Sequence, residues 1–201
     1  MDSLKPGGKV QIAGLVWRPL RVISDDRGAV LHMLRADSPE FTTFGEAYFS
    51  ELRPQAVKGW KLHLRMTQRL VVPVGRIRFV IFDTRPSSPT LGTVMEVQSG
   101  RPDHYGLLTI PPGLWYGFQN VGTCDALIAN CADMMHDPAE SRGLPLGSRE
   151  IPFQWETTNA VLSGDVRQPS ESGGTRTEKV GDVTRSILEL RFPSAARCPI
   201  H

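Results

Sequence analysis

Cysteine is scarce in this chain of 201 residues, which has only Cys124, Cys131 and Cys198. Their number is odd, and their spacing fits neither a zinc site nor a redox dithiol, so we expect buried or incidental thiols. Long apolar runs are also missing, since no stretch reaches the 18 residues typical of a transmembrane helix. The first residues lack the apolar segment of a signal peptide. We therefore expect a cytoplasmic protein that does not bind a membrane.

Excess charge of one sign is absent as well. The chain has 23 Lys and Arg against 21 Asp and Glu, a formal net charge of +2. Such a balance excludes the broad basic surface of a nucleic-acid-binding protein, so any anion must be bound locally. Aromatic residues make up only 7%, whereas 19 glycines and 16 prolines are present. This composition favours a turn-rich, strand-rich fold over a helical bundle.

Short strand-like runs separated by turn signals fill the chain between Trp17 and Trp155, and no long stretch has a helical period. The pattern predicts an all-β sandwich or barrel large enough to bury its own core. We place this domain at residues 1–166. Residues 167–185 include a polar segment with two adjacent glycines and predict a flexible linker. Residues 186–201 predict a further strand and a tail, which docks on the domain or on a second subunit.

Two spaced motifs carry the strongest signal. The first consists of Gly59, Lys61, His63, Gln68 and Gly75, and the second of Pro111, Gly113, Tyr116 and Asn120. Their spacing resembles the two motifs of the cupin superfamily, which implies a jelly-roll barrel, the double-stranded β-helix.

Three of the four positions that hold metal ligands in cupins carry other residues here, namely Lys61, Gln68 and Tyr116. A protonated lysine donates hydrogen bonds but accepts none. The remaining imidazole, His63, does not supply the three protein ligands that open metal sites usually need. We therefore expect a barrel without a metal and without another cofactor.

Within that superfamily the chain resembles dTDP-4-dehydrorhamnose 3,5-epimerase over roughly residues 15–155. The resemblance is carried by the runs at residues 23–28, 45–51, 57–60, 68–71, 82–85, 88–92 and 109–118. It implies a jelly-roll cupin, usually a homodimer, that acts without a metal on a nucleotide-linked 4-keto-6-deoxy sugar. The substrate would be a small molecule such as a dTDP-sugar, as in dTDP-rhamnose biosynthesis.

Epimerisation beside a ketone requires a base, a hydrogen-bond donor for the enolate oxygen and an acid on the opposite face. The resemblance implies a histidine base at the position of Lys61, so this chain departs from the family at the reacting centre. Lys61 and His63 are the candidate bases. If they lie on one strand they share a face, about 6.6 Å apart at ~3.3 Å per residue.

The acid also differs, because the family's tyrosine has no counterpart in residues 130–138. Of the three tyrosines only Tyr116 occupies a cavity-facing position of the motifs, so it is the candidate acid. Arg69 matches a family lysine that contacts the substrate carbonyl and would stabilise the enolate. Asp165 is a weak match for the family's aspartate that holds the base.

Four further residues match substrate-binding positions of the family. Arg27 and Lys58 match the two cations that hold the diphosphate, although Lys58 lacks the planar fork of an arginine. Glu51 and Asp83 match acidic positions near the site, and Asp83 would equally well pair with a neighbouring arginine.

Three hypotheses follow from the sequence. The first is an epimerase of a nucleotide-linked keto-sugar with an altered base and acid. The second is a cupin isomerase or cyclase that acts on another carbonyl compound in secondary metabolism, for which Lys61 matters and Arg27 does not. The third is a non-catalytic protein that binds a small molecule, since both the acid and the base of the family are replaced.

Overall fold

The computed structural model describes residues 12–156, with the backbone of residues 175–180 and 183–188. The first range contains twelve strands and one short 3-10 helix, η1 (Pro138–Glu140). The strands are β1 (Val16–Pro19), β2 (Val22–Asp25), β3 (Gly28–Leu31), β4 (Glu46–Leu52), β5 (Val57–His63), β6 (Gln68–Val74), β7 (Arg76–Asp83), β8 (Val94–Gly100), β9 (Gly106–Ile110), β10 (Leu114–Asn120), β11 (Ala126–Ala132) and β12 (Ser141–Gly143).

Ten of these strands form two five-stranded antiparallel sheets. The order is β1-β9-β6-β11-β4 in the first sheet and β12-β5-β10-β7-β8 in the second. Most neighbours in each sheet are distant in the sequence, as expected when a jelly roll folds one sheet over the other. The predicted all-β jelly roll is therefore confirmed. The remaining strands, β2 and β3, pair only with each other and form an exposed hairpin.

The core lies between the two sheets and depends on strands whose side chains alternate between faces. On β7, Ile77, Phe79 and Ile81 point into the main apolar cluster and are fully buried. Val80, on the other face of the same strand, packs in a second cluster with Trp60. Because both faces of β7 are covered, this strand reads as an almost continuous apolar run.

Two glycines of the sequence motifs serve the turns that close the barrel. Gly75 (φ +80°) lies between β6 and β7, and Gly113 (φ +83°) precedes β10. Both adopt a left-handed backbone, which glycine tolerates because it lacks a Cβ. A Cβ on Gly75 would also lie 2.6 Å from the Cβ of Ala126. The glycines at these two motif positions are therefore explained by turn geometry.

The last described segment is a hairpin of β13 (Thr175–Val180) and β14 (Val183–Leu188). The sequence predicted a flexible linker through residue 185, so the strand at Thr175–Val180 differs from that prediction. Threonine is enriched in strands whereas lysine and glutamate are depleted, so the composition of this stretch did not separate a strand from a polar linker. The chain divides into two compact units, residues 1–158 and 159–201.

Two other expectations can be compared with the structure. Cys131 is a free thiol, as expected, whereas Cys124 is disulfide-bonded, which corrects the prediction for that residue. Spacing alone does not show which side chains a fold brings together. Within the described ranges no helix is long and apolar enough to cross a bilayer.

Asn120, the last residue of the second motif, provides a test of the barrel closure. Its buried carboxamide donates to the carbonyls of Leu52 (3.0 Å) and Cys124 (2.7 Å) and accepts from the Gly122 amide (2.8 Å). Asn120→Ala leaves these groups without a partner, and we expect it to lower the free energy of unfolding by about 2–4 kcal/mol in urea titrations. Gln98→Ala, at an exposed position of β8, is the control and should change it by less than about 0.5 kcal/mol. Equal stability of the two variants would contradict this role.

Candidate active site

A cavity of about 430 Å³ opens between the two sheets, a volume in the range of small-molecule sites. The first sheet contributes side chains from β4, β6 and β11, and the second contributes side chains from β5, β10 and β12. The lining is mixed, with apolar side chains around several polar and cationic groups. It includes Tyr48, Ser50, Lys58, Lys61, Gln68, Leu70, Tyr116, Phe118, Ile128, Asn130 and Arg142.

Lys61 and Tyr116 are neighbours on one wall of this cavity. They are directly opposed in the antiparallel pairing of β5 with β10, so their side chains stand on the same face with Cβ atoms about 5 Å apart. Lys61 is half-buried, and no described residue forms a hydrogen bond or an ion pair with its amine. A cation in this setting favours an anionic partner.

Behind Tyr116 lies a buried chain of hydrogen bonds. His63 is 4% exposed and Glu140 is 1% exposed. The imidazole Nδ1 bonds to Glu140 Oε1, and its Nε2 lies 3.2 Å from the Tyr116 hydroxyl. The other carboxylate oxygen, Oε2, accepts from the backbone amides of Arg65 (3.1 Å) and Met66 (3.2 Å). The carboxylate is thus fixed at the back of the site, and it orients the imidazole toward Tyr116.

The pKa values of the three groups decide which group donates each hydrogen bond. Burial lowers the pKa of His63, although the nearby Glu140 opposes this shift. Burial raises the pKa of Glu140, but the hydrogen bonds from His63 and from the backbone outweigh it and hold the pKa below its usual value. Burial raises the pKa of Tyr116 far above its usual value. At neutral pH, Tyr116 therefore donates to Nε2 of a neutral His63, whose Nδ1–H donates to an ionised Glu140.

The opposite wall holds an amide network with a fixed orientation. Asn130 Oδ1 accepts from the backbone amide of Arg69 (3.0 Å), so Asn130 Nδ2 is the group that donates to Gln68 Oε1. The hydroxyl of Tyr48 lies 3.3 Å from the same Gln68 oxygen. Gln68 Nε2 is buried and has no hydrogen-bond partner within the described part of the chain. The cavity wall thus presents an unpaired donor.

The structure brings together three of the four predicted catalytic residues. Lys61 and Tyr116 line the cavity, and His63 lies directly behind Tyr116. The fourth, Arg69, is not among the lining residues. Its guanidinium donates to the Glu40 carbonyl (2.6 Å) and to Thr42 Oγ1 (2.7 Å).

This placement corrects the role predicted for Arg69. Neighbouring residues of a strand point to opposite faces, so Gln68 and Leu70 face the cavity while Arg69 faces away from it. The position that matches the family's lysine therefore lies on the face of β6 turned away from the cavity in this chain. Gln68 occupies the cavity-facing position.

Some of the predicted substrate-binding residues line the cavity and others do not. Lys58 lines the cavity, and its amine donates to the carbonyl of Glu51 (2.9 Å). The side chain of Glu51 is not part of the lining. Arg27 lies in the exposed β2–β3 hairpin, where it pairs with Asp25 at 2.6 Å. Within one chain Arg27 does not reach the cavity.

Asp83 pairs with a neighbouring arginine, the structural alternative that the sequence left open. Its buried carboxylate accepts from Arg85 (2.9 Å), Ser88 (2.5 Å) and Thr90 (2.7 Å). Burial raises its pKa, but the hydrogen bond from Arg85 and those from the two hydroxyls hold it far below the usual range. Asp83 fixes the loop after β7 and does not line the cavity.

Glu140, Tyr48 and Arg142 are among the site residues that the sequence analysis did not identify. Glu140 lies in η1, and the fold alone brings it to His63 across 77 positions of the chain. Tyr48 lies two residues before Ser50 on β4, so the alternation of that strand was the available signal. Arg142 on β12 belongs to no sequence pattern that would have identified it. Asp165, which the sequence suggested as a partner of the base, lies outside the described residues.

The donor set at the former metal-ligand positions does not suit a transition metal. An amine, an amide and a phenol face the cavity, and both nitrogens of His63 are engaged in hydrogen bonds. In the part of the chain that the structure describes, no three His, Cys, Asp or Glu side chains cluster closely enough to hold a metal ion.

Comparison with known proteins finds a matching family and a similar crystal structure. The model of the dTDP-4-dehydrorhamnose 3,5-epimerase family matches residues 9–170. A dTDP sugar isomerase from Desulfovibrio desulfuricans G20 has a similar crystal structure, with a TM-score of 0.71 and 51% identity, covering 72% of this chain and 92% of that one.

Among curated proteins, a probable low-salt glycan biosynthesis epimerase, Agl13 of Haloferax volcanii, is 32% identical over 73% of this chain and 94% of its own length. The spore coat polysaccharide biosynthesis protein SpsL of Bacillus subtilis is 28% identical over 73% of this chain and 97% of its own length. Both names place these relatives in the synthesis of polysaccharides or glycans.

The buried Glu140 carboxylate predicts a specific pH dependence. Its pKa is lower in the folded protein than the usual 4.5, so its contribution to stability is present above pH 4.5 and is lost as the pH falls through the lowered value. Glu140→Gln should cost about 2 kcal/mol of unfolding free energy at pH 7, and the gap from the parent protein should narrow toward pH 3. Urea titrations between pH 3 and pH 7 measure this difference in unfolding free energy. The exposed Glu150→Gln serves as control, and a gap that stays constant with pH would refute the assignment.

Proposed function

Because the chain belongs to the dTDP-4-dehydrorhamnose 3,5-epimerase family, we propose that it epimerises a nucleotide-linked 4-keto-6-deoxy sugar by removing a proton beside the ketone. The observation that carries this proposal is the hydrogen-bonded chain from Glu140 through His63 to Tyr116, which ends at the cavity. The likeness to a dTDP sugar isomerase at 51% identity supports the substrate class.

The base in this proposal is His63, acting through Tyr116. Since its pKa is raised, the phenol is protonated at rest, and it accepts a carbon-bound proton only by passing its own proton to His63 Nε2. The Glu140 carboxylate stabilises the imidazolium that forms, as an aspartate does in a Ser-His-Asp triad. In this proposal His63 is the base, one of the two candidates from the sequence, and Tyr116 relays the proton instead of acting as the acid.

Two groups are placed to stabilise the enolate oxygen. Lys61 stands beside Tyr116 on the same wall, and its amine has no hydrogen bond or ion pair with any described residue. From the opposite wall, Gln68 Nε2 offers an unpaired hydrogen-bond donor in a buried setting, where such a bond is strongest. Together they replace the role that the sequence had given to Arg69.

Cations at the cavity suit the diphosphate of the nucleotide. Lys58 and Arg142 both line it and are exposed toward the solvent. We infer that the protein is a homodimer in which Arg27 contacts the nucleotide in the cavity of the second subunit. The exposed apolar side chains of its hairpin, Ile23 (42% exposed) and Val30 (61% exposed), support a covering partner.

Hydrogen exchange into a keto-sugar tests the chemistry. With dTDP-4-keto-6-deoxyglucose in D₂O, we expect the protein to introduce deuterium beside the ketone, measured by mass spectrometry and NMR. Tyr116→Phe and Lys61→Met should each slow this exchange about 10²–10⁴-fold, the usual contribution of acid–base groups. Tyr105→Phe, whose hydroxyl contacts the His32 carbonyl in another cluster, should leave the rate unchanged.

Absence of exchange with the parent protein would contradict the proposed reaction. Exchange by Tyr116→Phe at the parent rate would instead contradict the proton relay, but it would not contradict the proposed reaction.

Nucleotide binding tests the cationic part of the cavity. We expect dTDP to bind in calorimetric titrations, and Lys58→Ala to weaken its affinity about tenfold, the equivalent of ~1.4 kcal/mol. Lys58→Arg retains the charge and should bind nearly as well as the parent. Arg35→Ala, which removes an exposed ion pair with Asp37 away from the cavity, is the matched control. Undetectable binding of millimolar dTDP to the parent protein would contradict the substrate class.

A further inference from the structure

Inversion at a carbon needs a proton carrier on each face of the substrate, because the proton leaves from one face and returns on the other. The relay through Tyr116 and the cation Lys61 both belong to the second sheet. An acid on the same wall would return the proton to the face it came from. The group that completes an epimerisation must therefore come from the first sheet.

Tyr48 meets this requirement among the described residues. It lies on β4, directly opposite Asn130 in the register with β11, and its ring lines the cavity from the first sheet. It also lines the adjoining smaller cavity that Lys61 and His63 share. Facing sheets pack about 10 Å apart, so a sugar ring between these walls is reached from both faces.

The amide network fixes the state of the Tyr48 hydroxyl. Gln68 Oε1 is an acceptor, because Asn130 donates to it, so the Tyr48 hydroxyl donates to the same oxygen. Burial raises the pKa of Tyr48 above its usual value. The side chain is therefore a neutral phenol with a proton to give. With 38% of Tyr48 exposed, it lies at the mouth of the cavity, where water reaches it.

We propose that Tyr48 is the acid that delivers a proton to the enolate on the face opposite Tyr116, and that it thereby decides between inversion and mere exchange. This inference rests on the proposed function. It assigns a catalytic role to a residue that neither sequence motif includes.

The protons balance over one turnover. The C–H bond beside the ketone breaks, its proton goes to Tyr116, and the former phenol proton goes to His63 Nε2. A new C–H bond then forms on the opposite face with the proton of Tyr48. The resulting Tyr48 phenolate regains a proton from water, and the His63 imidazolium loses one through Tyr116 when product leaves. No oxidant, reductant or metal takes part.

The decisive experiment separates exchange from inversion. dTDP-4-keto-6-deoxyglucose in D₂O is followed by NMR for deuterium beside the ketone and for the configuration of the labelled carbon. We expect Tyr48→Phe to exchange within about threefold of the parent rate, whereas inversion falls at least 100-fold. Tyr48→His supplies another acid and should recover part of the inversion. Phe49→Leu, at an exposed position of the same strand, should match the parent protein in both readouts.

The possible results distinguish a failure of the role of Tyr48 from a failure of the proposed function. Inversion by Tyr48→Phe at the parent rate overturns the role of Tyr48, while the proposed function stands. Loss of both exchange and inversion in the Phe and the His variants also overturns it, because Tyr48 would then belong to proton removal or to the fold. A parent protein that shows no exchange overturns the proposed function, and this inference with it.

Discussion

The hydrogen bond between His63 and Glu140 is the interaction on which the account of the site depends. Both side chains are almost completely buried, and two backbone amides hold the carboxylate from behind. The ionised carboxylate fixes the proton on Nδ1 of the imidazole, which leaves Nε2 as an acceptor for Tyr116. Without this bond, His63 would have no defined tautomer, and Tyr116 would be an ordinary buried phenol without a proton acceptor.

The barrel carries other groups at the positions that hold metal ligands in the cupin motifs. Lys61, Gln68 and Tyr116 stand where the cupin motifs have ligands, and the register of β5 with β10 places the amine next to the phenol. The turns that hold these strands, at Gly75 and Gly113, depend on backbone conformation and not on a bound ion. A ligand set can therefore be replaced while the scaffold stays the same.

Much of the fold followed from the sequence, because alternating strands and turn glycines are local signals. The site was predictable only where a motif fixed the face of a strand, as for Lys61, His63 and Tyr116. Arg69 does not line the cavity, because neighbouring residues of β6 point to opposite faces and the match did not show which face it takes. Glu140 was missed because its partner lies 77 positions away, and no local pattern encodes such a contact.

The protonation state of His63 tests the central claim most directly. Two-dimensional ¹⁵N–¹H NMR of the imidazole at pH 7 identifies which nitrogen carries the proton. The structure predicts a neutral ring with the proton on Nδ1 and an unprotonated Nε2 that accepts from Tyr116, and Tyr116→Phe should shift the Nε2 resonance. A ring protonated on Nε2, or an imidazolium at neutral pH, would contradict the relay.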